Sequence, residues 1–394
     1  MTELQFVRLA EVADIESGAG FPLQHQGKHN EKFPFLKVSD MNLTGNERCI
    51  NRWNNSVSED TRVQVRARAF PVGAVIFPKI GAAIATNKKR ILIQPSCVDN
   101  NVMGIIPKTD RLTSEYIYHL LLSTDLSQFA SASNPPSIRK GEVENWMIPL
   151  PPLDEQRRIV GLLDRAAEIR RRADAARAKA RAIIPALFLD LFGDPATNPK
   201  GWAVQALSDL ADIGSGLTKG RKLNGTPTEP TPYLRVANVQ ADRLDLSEIK
   251  MIDATDDDRV RCRLLPGDLL MTEGGDLDKL GRCAMWQGEV DLCLHQNHIF
   301  RVRMGSAIVP DYARAFMQSE AARGYFLRVA KRTTGIASIN KTQLGRLPVW
   351  VPPLPLQTAF AEQASRLDSL TRALDAAAAK ADSMAAALSA EVFG

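Results

Sequence analysis

The feature that most constrains the fold of this 394-residue chain is an internal repeat. Leu9–Gly18 reads LAEVADIESG, and Leu207–Gly216 reads LSDLADIGSG. The motif PPLxxQ also occurs twice, at 151–156 and again at 352–357. A chain duplicated in this way folds as two similar units, because each copy carries its own apolar and turn pattern. We therefore predict two similar halves, each made of a globule and a helical segment.

Composition excludes several classes of protein. Hydrophobic residues make up 44% and charged residues 24% of the chain, which argues against intrinsic disorder. No apolar run approaches the length of about 18 residues that would suggest a membrane helix. The five cysteines form no C-x-x-C pair. We therefore expect a soluble, cytoplasmic protein with no membrane segment, no disulfide framework and no zinc ribbon.

Each half divides into a globule and a long helix. The globules, predicted at 1–150 and 194–351, mix short apolar runs with Gly, Pro and Asn, which is typical of compact α/β domains. The segments 151–193 and 352–394 are rich in Ala, Leu and charged residues and are predicted to be helical spacers. The expected fold class is α+β, with two similar α/β globules separated by two long helices.

The two predicted helices carry apolar residues at heptad spacing. With Ile159 at position a, positions a and d are apolar throughout the first helix, and the repeat places Phe360 at a in the second. This spacing, together with opposite net charge on the two helices, predicts an antiparallel coiled coil with a pseudo-two-fold axis. The alternative is that each helix packs on its own globule. The predicted pairing residues are Ile159, Leu162, Ala166, Ile169, Ala173 and Ala176 in the first helix and Phe360, Leu367, Leu370, Leu374 and Ala377 in the second.

Two residues predict where the first helix loses its regularity. Pro185 is expected to kink or end the regular part of that helix, because proline lacks the N–H that the helical ladder needs. Gly193 is expected to stop the helix, since glycine readily adopts the left-handed conformation of a helix end.

Three motifs resemble one protein family. IPLPPLDEQRRI at 148–159, its counterpart VWVPPLPLQTAF at 349–360 and LFGDPATNPKGW at 191–202 are similar to the specificity subunit of type I restriction-modification systems. The resemblance covers essentially the whole chain and implies two target-recognition domains, each followed by a helical spacer. The second motif has Pro355-Leu356 where the first has Asp154-Glu155, so no role of the acidic pair carries over to the second motif.

This resemblance implies a non-catalytic subunit that reads a bipartite, asymmetric site on double-stranded DNA, with one half-site for each recognition domain. It implies two modification subunits that methylate adenine N6 with S-adenosylmethionine, and restriction subunits that hydrolyse ATP with Mg²⁺ and cut DNA. No cofactor is expected on this chain itself. The alternative is a coiled-coil scaffold that binds proteins without sequence-specific contact with DNA.

Motifs for catalysis or metal binding are incomplete. NPPS at 134–137 lacks the aromatic residue of an adenine methyltransferase motif, and EGGD at 273–276 lacks the Gly-Lys-Ser/Thr of a phosphate-binding loop. Cys293, His295 and His298 have tight spacing, but a tetrahedral zinc site needs a fourth ligand, and the first half has none of the three. We interpret these motifs as structural and expect neither catalytic residues nor a metal site.

Basic and amide side chains on predicted loops are the candidates for DNA contact. An S-I-x-K sequence occurs in both halves near a predicted helix start, where backbone N–H groups and a Lys would bind phosphate. Other basic clusters occur in one half only, as expected for groups that read bases. The alternative for every cluster is a solvated surface. The candidates are Lys88, Lys89, Arg90, Arg139, Lys140, Lys219, Arg221, Lys222, Arg332, Thr333, Thr334, Asn340 and Lys341.

Overall fold

A computed structural model describes the fold over most of the chain. Its contacts divide the chain into two compact units, Met1–Ala173 with Ala376–Gly394, and Asp174–Asp375. Each unit is mixed α/β and includes part of both long helices. This division differs from the four segments expected from the sequence, which stay a prediction. The described residues are 5–222, 225–276, 280–333 and 336–394.

The first unit has short strands and helices ahead of a long helix. Its strands are β1 (Phe6–Arg8), β2 (Ala13–Ser17), β3 (Phe33–Leu36), β4 (Cys49–Ile50), β5 (Ser56–Val57), β6 (Val75–Pro78), β7 (Arg90–Leu92), β8 (Cys97–Val98), β9 (Val102–Pro107) and β10 (Met147–Pro149). Its helices are α1 (Leu9–Val12), α2 (Glu59–Gln64), α3 (Ser114–Ser123), α4 (Lys140–Glu144) and the first part of α5 (Leu153–Phe192).

A five-stranded sheet with the order β2-β9-β6-β7-β4 is the centre of the first unit. β9 pairs antiparallel with both β2 and β6, so that Ser17 lies opposite Met103 and Pro78 lies opposite Val102. β2 and β6 therefore end, and β9 begins, at the same edge of the sheet. Smaller sheets, β1-β10 and β5-β3-β8, complete the unit.

The second unit has a similar plan. Its strands are β11 (Ala203–Ala206), β12 (Ala211–Ser215), β13 (Glu229–Leu234), β14 (Val239–Gln240), β15 (Arg243–Leu244), β16 (Lys250–Ala254), β17 (Leu269–Thr272), β18 (Gly274–Gly275), β19 (Cys283–Met285), β20 (Leu294–His295), β21 (Ile299–Met304), β22 (Lys331–Thr333), β23 (Ile336–Ser338) and β24 (Pro348–Val351). Its helices are α6 (Leu207–Leu210), α7 (Asp256–Arg261), α8 (Pro310–Met317), α9 (Glu320–Val329), α10 (Lys341–Gly345) and the first part of α11 (Leu354–Phe393).

The main sheet of the second unit has the order β12-β21-β17-β19. β21 pairs antiparallel with β12 and β17, with Ser215 opposite Phe300 and Thr272 opposite Ile299. β12 and β17 thus end where β21 begins, as β2 and β6 do around β9. The remaining sheets are β16-β13-β20, β18-β23-β22, β11-β24 and β14-β15.

Complete burial of the central strands explains their continuous apolar runs. Val75, Ile76 and Phe77 of β6 are all fully buried, as are Leu269 and Leu270 of β17. A strand that is covered on both faces has no solvent side, so its sequence does not alternate between apolar and polar residues. Each unit therefore has its own core around its main sheet.

The long helices α5 and α11 run antiparallel within each unit. In the second unit, Phe192 near the end of α5 packs against Phe360 near the start of α11, with ring centroids 5.6 Å apart. Arg177, earlier on α5, pairs with Asp375, later on α11. In the first unit, Arg170 of α5 lies 3.0 Å from Asp382 of α11.

The buried positions of these helices differ from the predicted seam. Ile159, Ala166 and Ala173 at position a are buried, and so is Phe360 of α11, whereas Leu367 and Leu374 are half-buried. The predicted seam is wrong at position d, where most residues are exposed to solvent. Leu162, Ile169, Leu370 and Ala377 are exposed and Ala176 is half-buried.

Position e, one residue further along, takes the place of position d. Leu163 is 6% exposed while its neighbour Leu162 is 38% exposed. Arg170 and Arg177 also stand at e, where they form the two ion pairs with α11. The sequence favoured d because every d residue of the first helix is apolar, but the aliphatic stem of an arginine can cover a seam while its guanidinium reaches a carboxylate.

The first helix passes through Pro185 without ending. α5 continues as a helix to Phe192, where Phe188 and Phe192 are buried in the second unit's core. Aromatic packing after the proline offsets the lost backbone hydrogen bond. Gly193 then ends the helix in the left-handed conformation, with φ of 86°.

A buried glutamine fixes the start of each long helix to the globule of its unit. Gln156 of α5 is fully buried, accepts a hydrogen bond from Thr113 N (2.9 Å) and donates to Arg111 O (2.8 Å) and Pro151 O (2.9 Å). The side chain therefore joins the loop before α3 to the PPLxxQ segment. This contact explains the glutamine of the repeated motif.

Gln357 makes the same three contacts in the second unit. It is fully buried, accepts from Val309 N (2.9 Å) and donates to Ala307 O (3.2 Å) and Pro352 O (2.7 Å). The loop before α8 takes the place of the loop before α3. We call these two contact sets the glutamine clamps.

Replacing Gln156 by Met tests the first clamp. The change keeps the length of the side chain but leaves one buried N–H and two buried carbonyl groups without their partner, so we expect the free energy of unfolding to fall by about 2 to 4 kcal/mol. Urea denaturation of the full chain measures it. Gln128→Met, at an exposed position, is the matched control and should change the free energy by less than about 0.5 kcal/mol. Equal effects of the two variants would contradict a clamp.

Candidate nucleic-acid interface

Several loops of the first unit meet at the edge where β2 and β6 end. Ala19 N donates to Val98 O (3.0 Å), Lys79 N to Asn101 O (2.8 Å) and Ile138 N to Lys79 O (2.8 Å). These bonds hold the segments 18–32, 79–87, 99–101 and 130–140 beside one another. We call this group of segments the loop edge of the first unit.

The second unit has a corresponding loop edge where β12 and β17 end. Leu217 N donates to His295 O (2.8 Å), Glu273 N to His298 O (3.0 Å) and Ile339 N to Glu273 O (2.9 Å). The segments held there are 216–222 with 225–228, 273–276, 296–298 and 331–333 with 336–341. The same three connections therefore join equivalent segments in both units.

Two glycines of the repeated motif allow these loops to approach. A Cβ on Gly18 would lie 2.0 Å from Asp99 O, and a Cβ on Gly216 would lie 1.8 Å from His295 O. Both distances are far below contact distance, so neither position accepts a side chain without movement of the backbone. The repeated glycine is thus a requirement of the loop edge in each unit.

The first S-I-x-K segment lies on its loop edge. Ser137 forms a β-bridge with Ile80, and Arg139 and Lys140 are exposed beside it. The ammonium of Lys140 lies 3.8 Å from a carboxylate oxygen of Glu16. α4 has only five residues, which is too short for the expected anion site at a helix N-terminus. The segment can therefore contact phosphate only through its exposed cationic side chains.

The second S-I-x-K segment also places polar side chains on its loop edge. Asn340 is exposed and caps α10 by accepting from Gln343 N (2.8 Å), while Gln343 Oε1 accepts from Asn340 N (2.8 Å). Lys341 begins α10 and is exposed. α10 also has only five residues, so it too is short for an anion site at its N-terminus. Contact with phosphate would come from the side chains of the segment.

The basic loop after Gly216 has both free and tethered cations. Lys219 and Lys222 are exposed. Arg221 instead forms a two-pronged ion pair with Asp258, whose side chain is only 5% exposed. Hydrogen bonds from Arg221 hold the pKa of Asp258 well below its usual range, against the opposing effect of burial. The prediction that Arg221 contacts DNA is corrected: its guanidinium holds the loop against α7.

The cluster Lys88, Lys89 and Arg90 is likewise structural for the most part. Lys89 is fully buried, donates to Thr124 O (2.9 Å), and has its pKa lowered to about 8 by burial. Arg90 donates to Met41 O (2.8 Å), and its pKa is lowered by burial. The contact prediction is therefore wrong for Lys89 and Arg90 in this conformation. Lys88 is half-buried and donates to Asn42 Oδ1.

The remaining candidates lie in the hairpin of β22 and β23. Arg332 is exposed and donates to Leu327 O (2.8 Å). Thr333 ends β22, and Thr334 lies outside the described residues. The backbone of this hairpin pairs with β18 through Ser338 and Gly274, which places it on the loop edge.

Three groups at the loop edges were not predicted from the sequence. The segment 18–32 of the first unit carries Gln24, His25 and Lys28 and follows β2 as the Lys219 loop follows β12. Lys79 and Glu273 occupy equivalent ends of β6 and β17, as their matching hydrogen bonds show. The repeated LAEVADIESG motif could have found the first group, since both loops follow it directly. Lys79 and Glu273 differ in charge and give no sequence match.

The suspected zinc ligands do not converge. His295 is buried with Nδ1 2.9 Å from Ile299 O, and burial lowers its pKa to about 4. His298 is exposed, with Nδ1 2.7 Å from Glu273. Among the described residues no three His, Cys, Asp or Glu side chains group as metal ligands, and no described helix is long and apolar enough to cross a membrane.

Comparison with known proteins identifies the family that the chain resembles. The family described as "Type I restriction modification DNA specificity domain" matches residues 1–171. The match covers less than half of the chain. The type I restriction enzyme EcoKI specificity subunit of Escherichia coli (strain K12) is 24% identical over 315 residues, covering 74% of this chain and 67% of that protein. The resemblance to type I specificity subunits inferred from sequence is thereby confirmed.

A further relative and two solved structures are also similar to this chain. The putative MjaX specificity subunit of Methanocaldococcus jannaschii is 27% identical over 175 residues, which is 44% of this chain and 40% of that protein. The M. genitalium S subunit has a TM-score of 0.61 at 13% identity and aligns over 100% of this chain and 97% of its own. A chain from a study of type I R-M complex assembly has a TM-score of 0.54 at 18% identity, over 100% and 98%. These structures support the α/β fold.

Arg221→Ala tests the tether of the basic loop. The change removes two charged hydrogen bonds from the buried Asp258 carboxylate, which keeps those from Thr255 and Arg261, so we expect a loss of about 1.5 to 3 kcal/mol in the free energy of unfolding at pH 7. The folded pKa of Asp258 is depressed, so the stabilisation is present above the unfolded pKa of about 4 and is lost as pH falls below it. Denaturation at pH 7 and pH 3 should therefore show a smaller difference between variant and parent at pH 3. A penalty independent of pH would exclude the ion pair as its source.

Proposed function

We propose that this chain is the DNA-specificity subunit of a type I restriction-modification complex and reads a bipartite, asymmetric site. The loop edge of each unit binds one half-site on double-stranded DNA. The observation that carries this proposal is the loop edge itself, which occurs in both units on the same three backbone connections but with different side chains. Similar frames with different side chains suit two half-sites of different sequence.

The exposed cations of the loop edges supply contacts with phosphate. Arg139 and Lys140 in the first unit and Lys219, Lys222 and Lys341 in the second are exposed. Phosphate contacts position a protein on DNA, and base contacts give it specificity. The loops that differ between the units, 18–32 and the segment after Gly216, are placed to supply the base contacts.

The subunit acts without catalysis and without a cofactor of its own. We propose that two modification subunits bring S-adenosylmethionine for methylation of adenine N6, and that restriction subunits bring ATP and Mg²⁺ for cleavage. This chain would then select the DNA site, and its partners would methylate or cleave the DNA. The incomplete methyltransferase and phosphate-loop motifs of the sequence agree with this division.

The long helices are proposed to dock the modification subunits. We also propose that α5 and α11 form the expected antiparallel coiled coil with pseudo-two-fold symmetry, which the ion pairs in each unit support. In each unit, exposed apolar residues at position d are then available to a partner helix or groove. Leu162 is 38% exposed and Ile169 43% in the first unit, and Leu370 is 54% exposed in the second. We call these three residues the d stripe.

A protein scaffold without DNA recognition is the competing function, and the d stripe is the feature that favours it. The two functions differ in their response to salt, since a protein that contacts several phosphates releases counterions on binding. The full chain assembled with the modification subunit of its own system should protect DNA only at a bipartite site. Equal affinity for all duplexes in that assembly would refute the proposed function.

Removal of cations from the loop edges tests the phosphate contacts. For the pairs Arg139→Gln with Lys140→Gln, and Lys219→Gln with Lys222→Gln, we expect weaker binding to all sequences and a salt slope (log affinity against log salt) shallower by about 1 per contact removed. Lys108→Gln is the control, because Lys108 lies at the opposite end of β2 and β9, 3.3 Å from Glu11 O. Fluorescence anisotropy from low to high salt measures the slope. An unchanged slope in both double variants would show that these residues do not contact phosphate.

Neighbouring leucines separate pairing from docking. Leu163→Ala opens a cavity at a buried position and should lower the free energy of unfolding by about 2 to 4 kcal/mol. Leu162→Ala should leave that free energy within about 0.5 to 1 kcal/mol of the parent but weaken capture of the modification subunit several-fold. Urea denaturation and pull-down titration with the modification subunit measure the two effects. Unweakened capture by Leu162→Ala, Ile169→Ala and Leu370→Ala combined would place docking elsewhere.

A further inference from the structure

Lys79 and Glu273 occupy one position of the common fold. Each follows the last residue of the central strand of its main sheet, after Pro78 in β6 and after Thr272 in β17. Their amides donate to Asn101 O (2.8 Å) and His298 O (3.0 Å), and their carbonyls accept from Ile138 N (2.8 Å) and Ile339 N (2.9 Å). The backbone frame is therefore the same, and the side chains carry opposite charge.

Both side chains are only lightly engaged within the protein. Lys79 is half-buried and donates to a neutral group, Ser17 Oγ, at 3.1 Å. Burial lowers the pKa of Lys79, and among the described residues no carboxylate oxygen lies within 4.0 Å of its ammonium. Glu273 has a side chain that is 32% exposed and faces Nδ1 of His298 at 2.7 Å, and His298 is itself 56% exposed. A half-buried cation without a counter-ion gains from a polar ligand that reaches it.

The S-I-x-K segments lie directly beside these two residues. In the first unit Ser137 bridges Ile80, next to Lys79. In the second, Ser338 pairs with Gly274, next to Glu273. The segments that carry the candidate phosphate contacts and the residues Lys79 and Glu273 therefore lie side by side on each loop edge.

We propose that Lys79 and Glu273 are specificity-determining residues at one base pair of each half-site. Lys79 donates to O6 or N7 of a guanine, and Glu273 accepts from N4 of a cytosine on the strand that it faces. These are the pairings that the donor of lysine and the acceptors of glutamate make in the major groove. The inference rests on the proposed function, and it gives one physical reason for the asymmetry of the site.

Because Lys79 and Glu273 carry opposite charges, neither side chain can bind the base that is proposed for the other. Lysine has no acceptor and cannot bind the N4 amino group of cytosine, and a glutamate carboxylate is repelled by O6 and N7 of guanine. Discrimination at this position therefore comes both from the bond made and from the unpaired charge left by the wrong base. The frame shared by the two units stays the same while the base that is read changes.

Substitutions at both positions test the proposal in the full chain assembled with the modification subunit of its own system. Base preference is measured by selection from duplexes randomised in both half-sites. Lys79→Met should relax one position of one half-site, with the preference for guanine falling about 5- to 100-fold, and Lys79→Arg should keep it, since arginine also donates to guanine. Glu273→Gln should change the preference at one position of the other half-site from cytosine toward adenine, because a glutamine amide pairs with adenine N6 and N7.

Matched controls lie at the opposite end of the same sheets. Lys108 follows the last residue of β9, and Glu289 follows β19, whose Met285 pairs with the first residue of β17. Lys108→Met and Glu289→Gln should leave every base preference unchanged.

The outcomes separate this inference from the proposed function. A parent complex that selects no bipartite site refutes the proposed function. A parent complex with a defined site, whose base preferences are unchanged in both Lys79→Met and Glu273→Gln, overturns the inference and leaves the proposed function standing. A change at one position of one half-site for each variant, with the controls unchanged, supports it.

Discussion

The glutamine clamps are the contacts on which the arrangement of each unit depends. A long helix that leaves a globule through a Pro-Pro segment has no intrinsic direction, because the helix itself contributes only its own hydrogen bonds. Gln156 and Gln357 join that segment to the loop before α3 or α8 through three hydrogen bonds each, in fully buried surroundings. A buried amide that loses its partners is costly, so each clamp holds the helix start at one position relative to its globule.

Each long helix is also held to its globule by a second contact, further along the helix. In the first unit Asp164 of α5 accepts from Arg48 (2.7 Å) and faces His119 (2.8 Å). In the second unit Asp368 of α11 accepts from Arg314 (2.7 Å). A site reader needs loops that differ in sequence on a frame that does not move. The buried central strands and the clamps supply that frame, and the loop edges carry the variable side chains.

The sequence predicted the duplication, the two long helices and the mixed α/β globules, because these follow from repeated motifs and from the period of apolar residues. It also indicated the resemblance to type I specificity subunits, through motifs that contain the clamp residues Gln156 and Gln357. It failed on position d of the helices. Apolarity favoured Leu162 over Arg170 as a pairing residue, whereas in the folded chain Arg170 and Arg177 at position e make ion pairs with α11.

For the candidate site, the sequence alone showed which segments are basic. It also showed that the S-I-x-K segment is present in both halves. Only the tertiary structure decided which cations are available. Lys89 and Arg221 look like Lys88 and Lys219 in the sequence, but the first is buried against Thr124 and the second is held by Asp258. The equivalence of Lys79 and Glu273 was also invisible in sequence, since opposite charges give no match. Position in space depends on contacts between segments far apart in the chain, and a pattern read along the chain does not contain those contacts.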